Sequence, residues 1–212
     1  MSEPDRRSQD DAGLPLLMVI DVQNGFVLPS SRHVVPVVAG LVDRWLAADA
    51  PVILTRYFNH PGSPFEQLVG WRAMHHAPDT DLVAELAGYA ADDRVHVVDK
   101  TTYTALTSPV RDLITSWNVT QLYLCGLATD ACVFATALSA FDAGLTPWII
   151  TDACASNASS RCPEKVHDEA VMQLSHLIGA NQLIASRQAC RPVGGPDAGS
   201  ARVGPAHWIR RG

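Results

Sequence analysis

The sequence predicts an α/β fold, a three-layer doubly wound sandwich around a mainly parallel six-stranded sheet, and three observations carry that prediction. Short apolar runs recur along the chain, helical spacings of apolar residues stand between most of them, and the runs are apolar almost without interruption. Alternation of strand and helix asks for parallel pairing, and a strand covered on both faces needs no polar side.

The elements follow in order. LLMVIDV (16–22) reads as the first strand, and VVPVVAGLVDRWLAAD (34–49), apolar at three- and four-residue spacing, as the first helix. PVILTRY (51–57) is the second strand. After it comes NHPGSPFEQLVGWRAMHHAPD (59–79), long and punctuated by Pro and Gly; a segment of that kind is a lid, a binding loop or a plain surface excursion. TDLVAELAG (80–88) is helical, VHVVD (95–99) a strand, and SPVRDLITSWN (108–118) a helix announced by Ser108 and Pro109. QLYLCG (121–126) is the fourth strand, and TDACVFATALSAFDAG (129–144) a helix closed by Gly144. TPWIIT (146–151), a helix opened by Pro163 over 163–179, and NQLIAS (181–186) complete the pattern. One domain is expected over 14–190, with a mobile polar start (1–13) and a mobile tail rich in Gly, Pro and Arg (191–212).

Composition narrows the function. The 212 residues are 47% hydrophobic and carry a net charge of −6, which suits one globular core. No dense basic stripe exists to meet phosphates, so nucleic acid is not the expected partner. The longest apolar runs, such as LPLLMVI, are too short to span a bilayer, and MSEPDRRSQDDA lacks the apolar stretch of a secretory signal. A cytoplasmic protein without membrane contact is expected. Five cysteines with no CxxC fit a reducing compartment and argue against a zinc knuckle. No G-x-G-x-x-G follows the first strand, which weighs against a dinucleotide cofactor. A small molecule is the default ligand.

In an open α/β sheet ligands sit beyond the carboxyl ends of the strands. There the chain places Asp21 after the first strand, Lys100 after the third, and Cys132 in the first turn of the helix after the fourth. Alone, Asp21 would be a strand terminator, Lys100 a solvated charge and Cys132 a core residue. Together they make a site. A cation and a helix N-terminus favour a thiolate, a carboxylate can carry the thiol proton, and the N–H of Cys132 can face an oxyanion. Cys125 reads as core and Cys190 borders the tail. Cys154, near Cys162 beyond the fifth strand, is the one rival nucleophile, without a helix start directly behind it.

VIDVQNGF, DKTTYTAL, CGLATDACVFATALSAFDAGL and IITDACAS, in that order, resemble the isochorismatase-like cysteine hydrolases, which include nicotinamidases and N-carbamoylsarcosine amidohydrolases. The resemblance covers residues 14–187. It implies a catalytic triad of Asp21, Lys100 and Cys132, a cis peptide between Leu127 and Ala128, and an oxyanion hole formed by the N–H groups of Ala128 and Cys132. It also implies a homo-dimer or homo-tetramer, for which apolar residues on the last helix are candidates. Nicotinamidases carry a metal-binding Asp-x-His after the second strand; here that position falls on Tyr57 and Asn59, with His60 next and His75 and His76 further on. No metal and no cofactor are therefore expected, and Tyr57 and Asn59 should face the substrate instead, beside Phe26, Trp71 and Tyr103. Phe58 and Phe134 stand near the same edge, and Arg56 and Arg72 are candidate carboxylate holders.

The leading expectation is a hydrolase of a small amide, carbamoyl or ureido C–N bond that works through a Cys132 thioester on a small-molecule amide. A vinyl-ether hydrolase of the isochorismatase type that relies on the Asp alone is the alternative. The third reading is a non-enzymatic binding or thiol redox module.

Overall fold

The computed structural model describes residues 13–158 and 162–189. The two segments read as mobile ends, Gly13 excepted, and Cys190 lie outside the described residues. The six strands are β1 (Leu14–Ile20), β2 (Val52–Tyr57), β3 (Val95–Lys100), β4 (Val119–Leu127), β5 (Thr146–Ala155) and β6 (Leu183–Ile184). They lie in the order β3-β2-β1-β4-β5-β6, and every pairing is parallel. Five consecutive residues at the end of β1 and six at the end of β4 are buried, so helices cover both faces of the sheet.

The helices are α1 (Val35–Ala47), α2 (Ala84–Ala87), α3 (Ser108–Ser116), α4 (Phe134–Asp142) and α5 (Pro163–Leu177). Proline stands in the first turn of α1, α3 and α5, where its missing N–H costs nothing. The apolar face of α1 buries Val35, Val38, Leu41, Val42 and Trp45 against the sheet, with the Trp45 ring edge-on to Tyr123 at 5.2 Å.

Three expectations are corrected. The helix read over 80–88 begins only at Ala84, because Thr80–Val83 run beside the chain that leaves β1. Gly25 and Asn24 donate to the carbonyls of Asp79 and Asp81, and Gln23 bridges antiparallel to Leu82. The last strand shrinks to two residues because Ala180–Gln182 turn tightly after Gly179, where φ is 104°. The helix after β4 opens with a wide π-type turn over Thr129–Val133 before α4 proper begins.

The chain leaves β1 toward β2 and β3 on one side and later crosses to β4, β5 and β6 on the other. The reversal point between β1 and β4 is where such sheets open a crevice at their carboxyl end. Gly126 lets the two strands close there. Its φ is 113°, and a side chain on it would sit 2.2 Å from the Ile20 carbonyl oxygen.

Candidate active site

Asp21, Lys100 and Cys132 come together at this reversal point, contributed by β1, β3 and the turn after β4. Asp21 follows the last residue of β1 with φ at 50°, a left-handed conformation that Asp tolerates better than most residues. It is wholly buried, and the Lys100 side chain beside it is only 1% exposed. Lys100 ends β3, two strands away, and spans the gap by passing over the ring of Tyr57 on β2 at 5.3 Å. Its Nζ lies 2.6 Å from Asp21 Oδ2 and 3.5 Å from Cys132 Sγ. The peptide between Leu127 and Ala128 is cis. In the turn that follows, the Ala128 carbonyl accepts from the N–H groups of Ala131 and Val133 and passes over Cys132.

The electrostatics correct one expectation. A lysine and a helix start were expected to favour the thiolate; instead, burial pushes the Cys132 thiol well above its ordinary range. Asp21 adds to the rise through its charge and its hydrogen bond to the thiol, and Lys100 opposes it without reversing it. Burial thus favours the neutral thiol of Cys132, which lies against the Asp21 carboxyl group.

Several supporting groups carry no signal in the sequence. Thr55 on β2 accepts from the Asp21 N–H at 3.2 Å and donates to Asp21 Oδ1 at 2.7 Å, so it holds both backbone and carboxylate. Lys100 donates to the carbonyls of Thr102 and Tyr103, which fix the ammonium from the far side. Thr136 donates to the Cys132 carbonyl at 2.6 Å and accepts from Ala105 N–H at 2.9 Å, tying the turn that holds Cys132 to the loop after β3. Gln23, fully buried, exchanges hydrogen bonds with both backbone groups of Tyr57 and donates to the Thr80 carbonyl. Neutral polar residues at these positions look like any others until the fold shows their partners.

A cavity of about 140 Å³ opens onto Cys132, with Leu127, Ala128 and Ala131 on the nucleophile side. Of the residues expected to face a ligand, Phe26, Tyr57, Trp71 and Tyr103 line it, joined by Phe65, Val69 and Asn157, which were not foreseen. Asn59 does not. Its amide is buried in bonds to the loop that follows it, which corrects the expectation that it faces the substrate. Phe58 lies under Arg56 and Phe134 packs on the core. Arg56 is held by both oxygens of Asp99 at 2.7 and 3.0 Å, and Arg72 is exposed, so neither holds a carboxylate in the cavity. Cys125 is core, as read, and Cys162 is exposed. Cys154 is buried within a separate cavity whose wall includes His33, Glu164 and His167, away from Asp21 and Lys100, and burial pushes its thiol to about 12.

The residues at the position of the nicotinamidase metal do not fit one. A zinc site needs at least three good donors. Burial, with Cys132, Tyr103 and Asp21 nearby, pushes the Tyr57 phenol far up and keeps it neutral. The Asn59 oxygen is already accepting from Ser63 and His60, and His75 is paired with Glu66 at 3.1 Å. Among the described residues no group of three His, Cys, Asp or Glu side chains is placed to hold an ion, and no helix is long and apolar enough to cross a membrane.

Known proteins resemble this chain in sequence and in fold. Residues 15–184 match the isochorismatase domain model. The chain is 25% identical over 176 residues to nicotinamidase 3 of Arabidopsis thaliana, covering 80% of this chain and 85% of that protein. The fold resembles the crystal structure of a Bacillus subtilis nicotinamidase (TM-score 0.70, 22% identity, 81% of this chain and 99% of the other). It also resembles the N-carbamoylsarcosine amidase of Thermoplasma acidophilum (TM-score 0.67, 18% identity, 82% and 96%).

Proposed function

The chain belongs to the isochorismatase domain family, and on that premise we propose that it hydrolyses the C–N bond of a small, uncharged amide, carbamoyl or ureido compound through a thioester on Cys132. The observation that carries this reading is the buried cluster of Asp21, Lys100 and Cys132, of which Cys132 opens onto a cavity walled by aromatic rings. Relatives named for amide hydrolysis on both sides, nicotinamidases and an N-carbamoylsarcosine amidase, support the reaction class.

The steps follow from the charges. Asp21 takes the thiol proton as Sγ bonds to the carbonyl carbon, so the thiolate need exist only as it reacts. The carbonyl oxygen becomes an oxyanion, which the N–H groups of Ala128 and Cys132 hold. Its collapse breaks the C–N bond while Asp21 returns the proton to the leaving nitrogen, and the thioester remains. Asp21 then deprotonates a water that attacks the thioester; the acid leaves and the thiol is restored. Lys100, paired with Asp21 and within reach of Cys132, lowers the cost of the developing thiolate.

The cavity sets the substrate. At about 140 Å³ it is below the several hundred Å³ common for ligand sites, so the acyl group is small. Its walls are aromatic and aliphatic, with polar tips from Tyr57, Trp71, Tyr103 and Asn157, and the two candidate arginines are occupied or exposed elsewhere. A substrate with a free carboxylate would lose its hydration there without gaining a partner. An ammonia-release screen over neutral primary amides and carbamoyl compounds, with Cys132→Ser as the blank, tests this. Turnover of a neutral amide that the blank lacks supports the reading; turnover only of carboxylate-bearing ureides, or turnover that persists in the blank, opposes it.

A further inference from the structure

Asn59 stands where the resemblance to nicotinamidases would put a metal ligand, yet its side-chain amide and its backbone N–H bond to one loop. It is only 6% exposed. Its Oδ1 accepts from Ser63 Oγ at 2.6 Å and from the His60 N–H at 3.0 Å, and lies 3.5 Å from the Tyr57 hydroxyl. Its Nδ2 donates to the Trp71 carbonyl at 3.2 Å, and its backbone N–H donates to the Met74 carbonyl at 2.8 Å. The segment 60–74 thus leaves from one residue and returns to it.

That segment supplies the outer wall of the cavity. Trp71 stacks on Phe26 at 5.9 Å with 15° between planes, and Phe65 meets Tyr57 and Tyr103 edge-on at 5.1 and 4.8 Å. Apart from Met74, buried at its far end, little apolar burial anchors the segment, since Leu68 and Val69 are 84% and 64% exposed. Glu66 adds a second, more superficial clasp by accepting from the Gly62 N–H and pairing with His75. A loop with few buried apolar contacts opens easily unless its polar contacts hold it.

We propose that Asn59 is a positioning residue that orders the 60–74 loop by hydrogen bonds and so seats the non-reacting half of the substrate, a task for which the described residues offer no metal-binding donor set. The effect on substrate rests on the amide hydrolase reading; the ordering of the loop does not. Removing the side chain leaves the Ser63 hydroxyl and the Trp71 carbonyl without their partner, and unpaired groups of this kind cost enough to shift a local opening equilibrium by about ten- to a hundredfold.

Hydrogen–deuterium exchange on the full chain, read beside steady-state kinetics, tests the proposal. In Asn59→Ala, peptides from 60–74 should exchange about tenfold faster or more while β1 and β4 peptides stay unchanged. KM for the best amide of the screen should rise about tenfold with kcat within about threefold, because the reacting cluster is untouched. Asn59→Asp keeps the acceptor for Ser63 and His60 but loses the donor to Trp71, so it should fall between, as should Ser63→Ala; these two decide the matter if Asn59→Ala fails to fold. Unchanged exchange in the loop, or a fall in kcat at constant KM, overturns the proposal. So does stoichiometric zinc, measured on wild-type protein dialysed against zinc chloride, that Asn59→Ala no longer binds. If the wild type hydrolyses no amide of the screen, the functional reading fails and the exchange data alone decide what Asn59 does.

Discussion

In the proposed mechanism Asp21 is the residue on which both halves of the reaction depend, since it would accept a proton from the thiol and later from water. Asp21→Asn should therefore lower kcat by about 10²- to 10⁴-fold with the fold intact, checked by ammonia release beside circular dichroism. Lys100 belongs as much to stability as to chemistry. It is paired at 2.6 Å with a fully buried carboxylate, and removing one member of a buried pair costs about 3–5 kcal/mol. Lys100→Met should lose that much in urea unfolding as well as activity; a stable, inactive variant would show that its role is catalytic alone. At this scale the sequence was legible where the side chains are chemically conspicuous. A carboxylate, an ammonium and a thiol at strand ends can be listed before any fold is known. Thr55, Gln23 and Thr136 could not, because a neutral polar residue becomes informative only when its partner, 31 to 57 positions away, is in place. Asn59 was noticed for the wrong reason, its place in a motif, and the fold turned its amide toward the loop.

Elements were legible in proportion to their apolar content. The buried runs of β1, β2 and β4 and the amphipathic α1 and α5 stand within a few residues of where the sequence puts them. The short α2 and β6 were overestimated, because backbone pairing by Gly25 and Asn24 and the turn at Gly179 override the local pattern. The turn that carries Cys132 is also held from outside by α5, whose His167 Nδ1 lies 2.8 Å from Thr129 Oγ1. Burial lowers the His167 pKa from 6.5. The unfolded chain then takes up that proton first as pH falls, so the contribution of His167 is complete above about pH 6.5 and is lost below it. The melting temperature should decline from pH 7 toward 5 in the wild type and decline less in His167→Asn. Parallel profiles would mean that other groups set the acid sensitivity.

For the whole molecule, the order of the strands places the site. Because the chain reverses between β1 and β4, three residues separated by 79 and 32 positions in sequence meet at one crevice, and the long 59–79 segment closes it. The strand and helix alternation made that architecture readable, whereas the closeness of β1 and β4 depends on the bare backbone of Gly126. Self-association is a further proposal at this scale. Phe141 on α4 and Met172 and Leu177 on α5 are exposed apolar residues on two helices that pack together, and exposed apolar side chains gain from burial against a second copy. Light scattering after size exclusion should give a mass that is twice or four times the 22.8 kDa chain; a monomer at micromolar concentration would refute it.

The most direct test of the account is to acid-quench the enzyme during turnover of the best neutral amide and map the acyl group by peptide mass spectrometry. An acyl mass is expected on the Cys132 peptide and not in Cys132→Ala, which should also have lost turnover. An acyl mass on the Cys154 peptide, or undiminished turnover in Cys132→Ala, would contradict it.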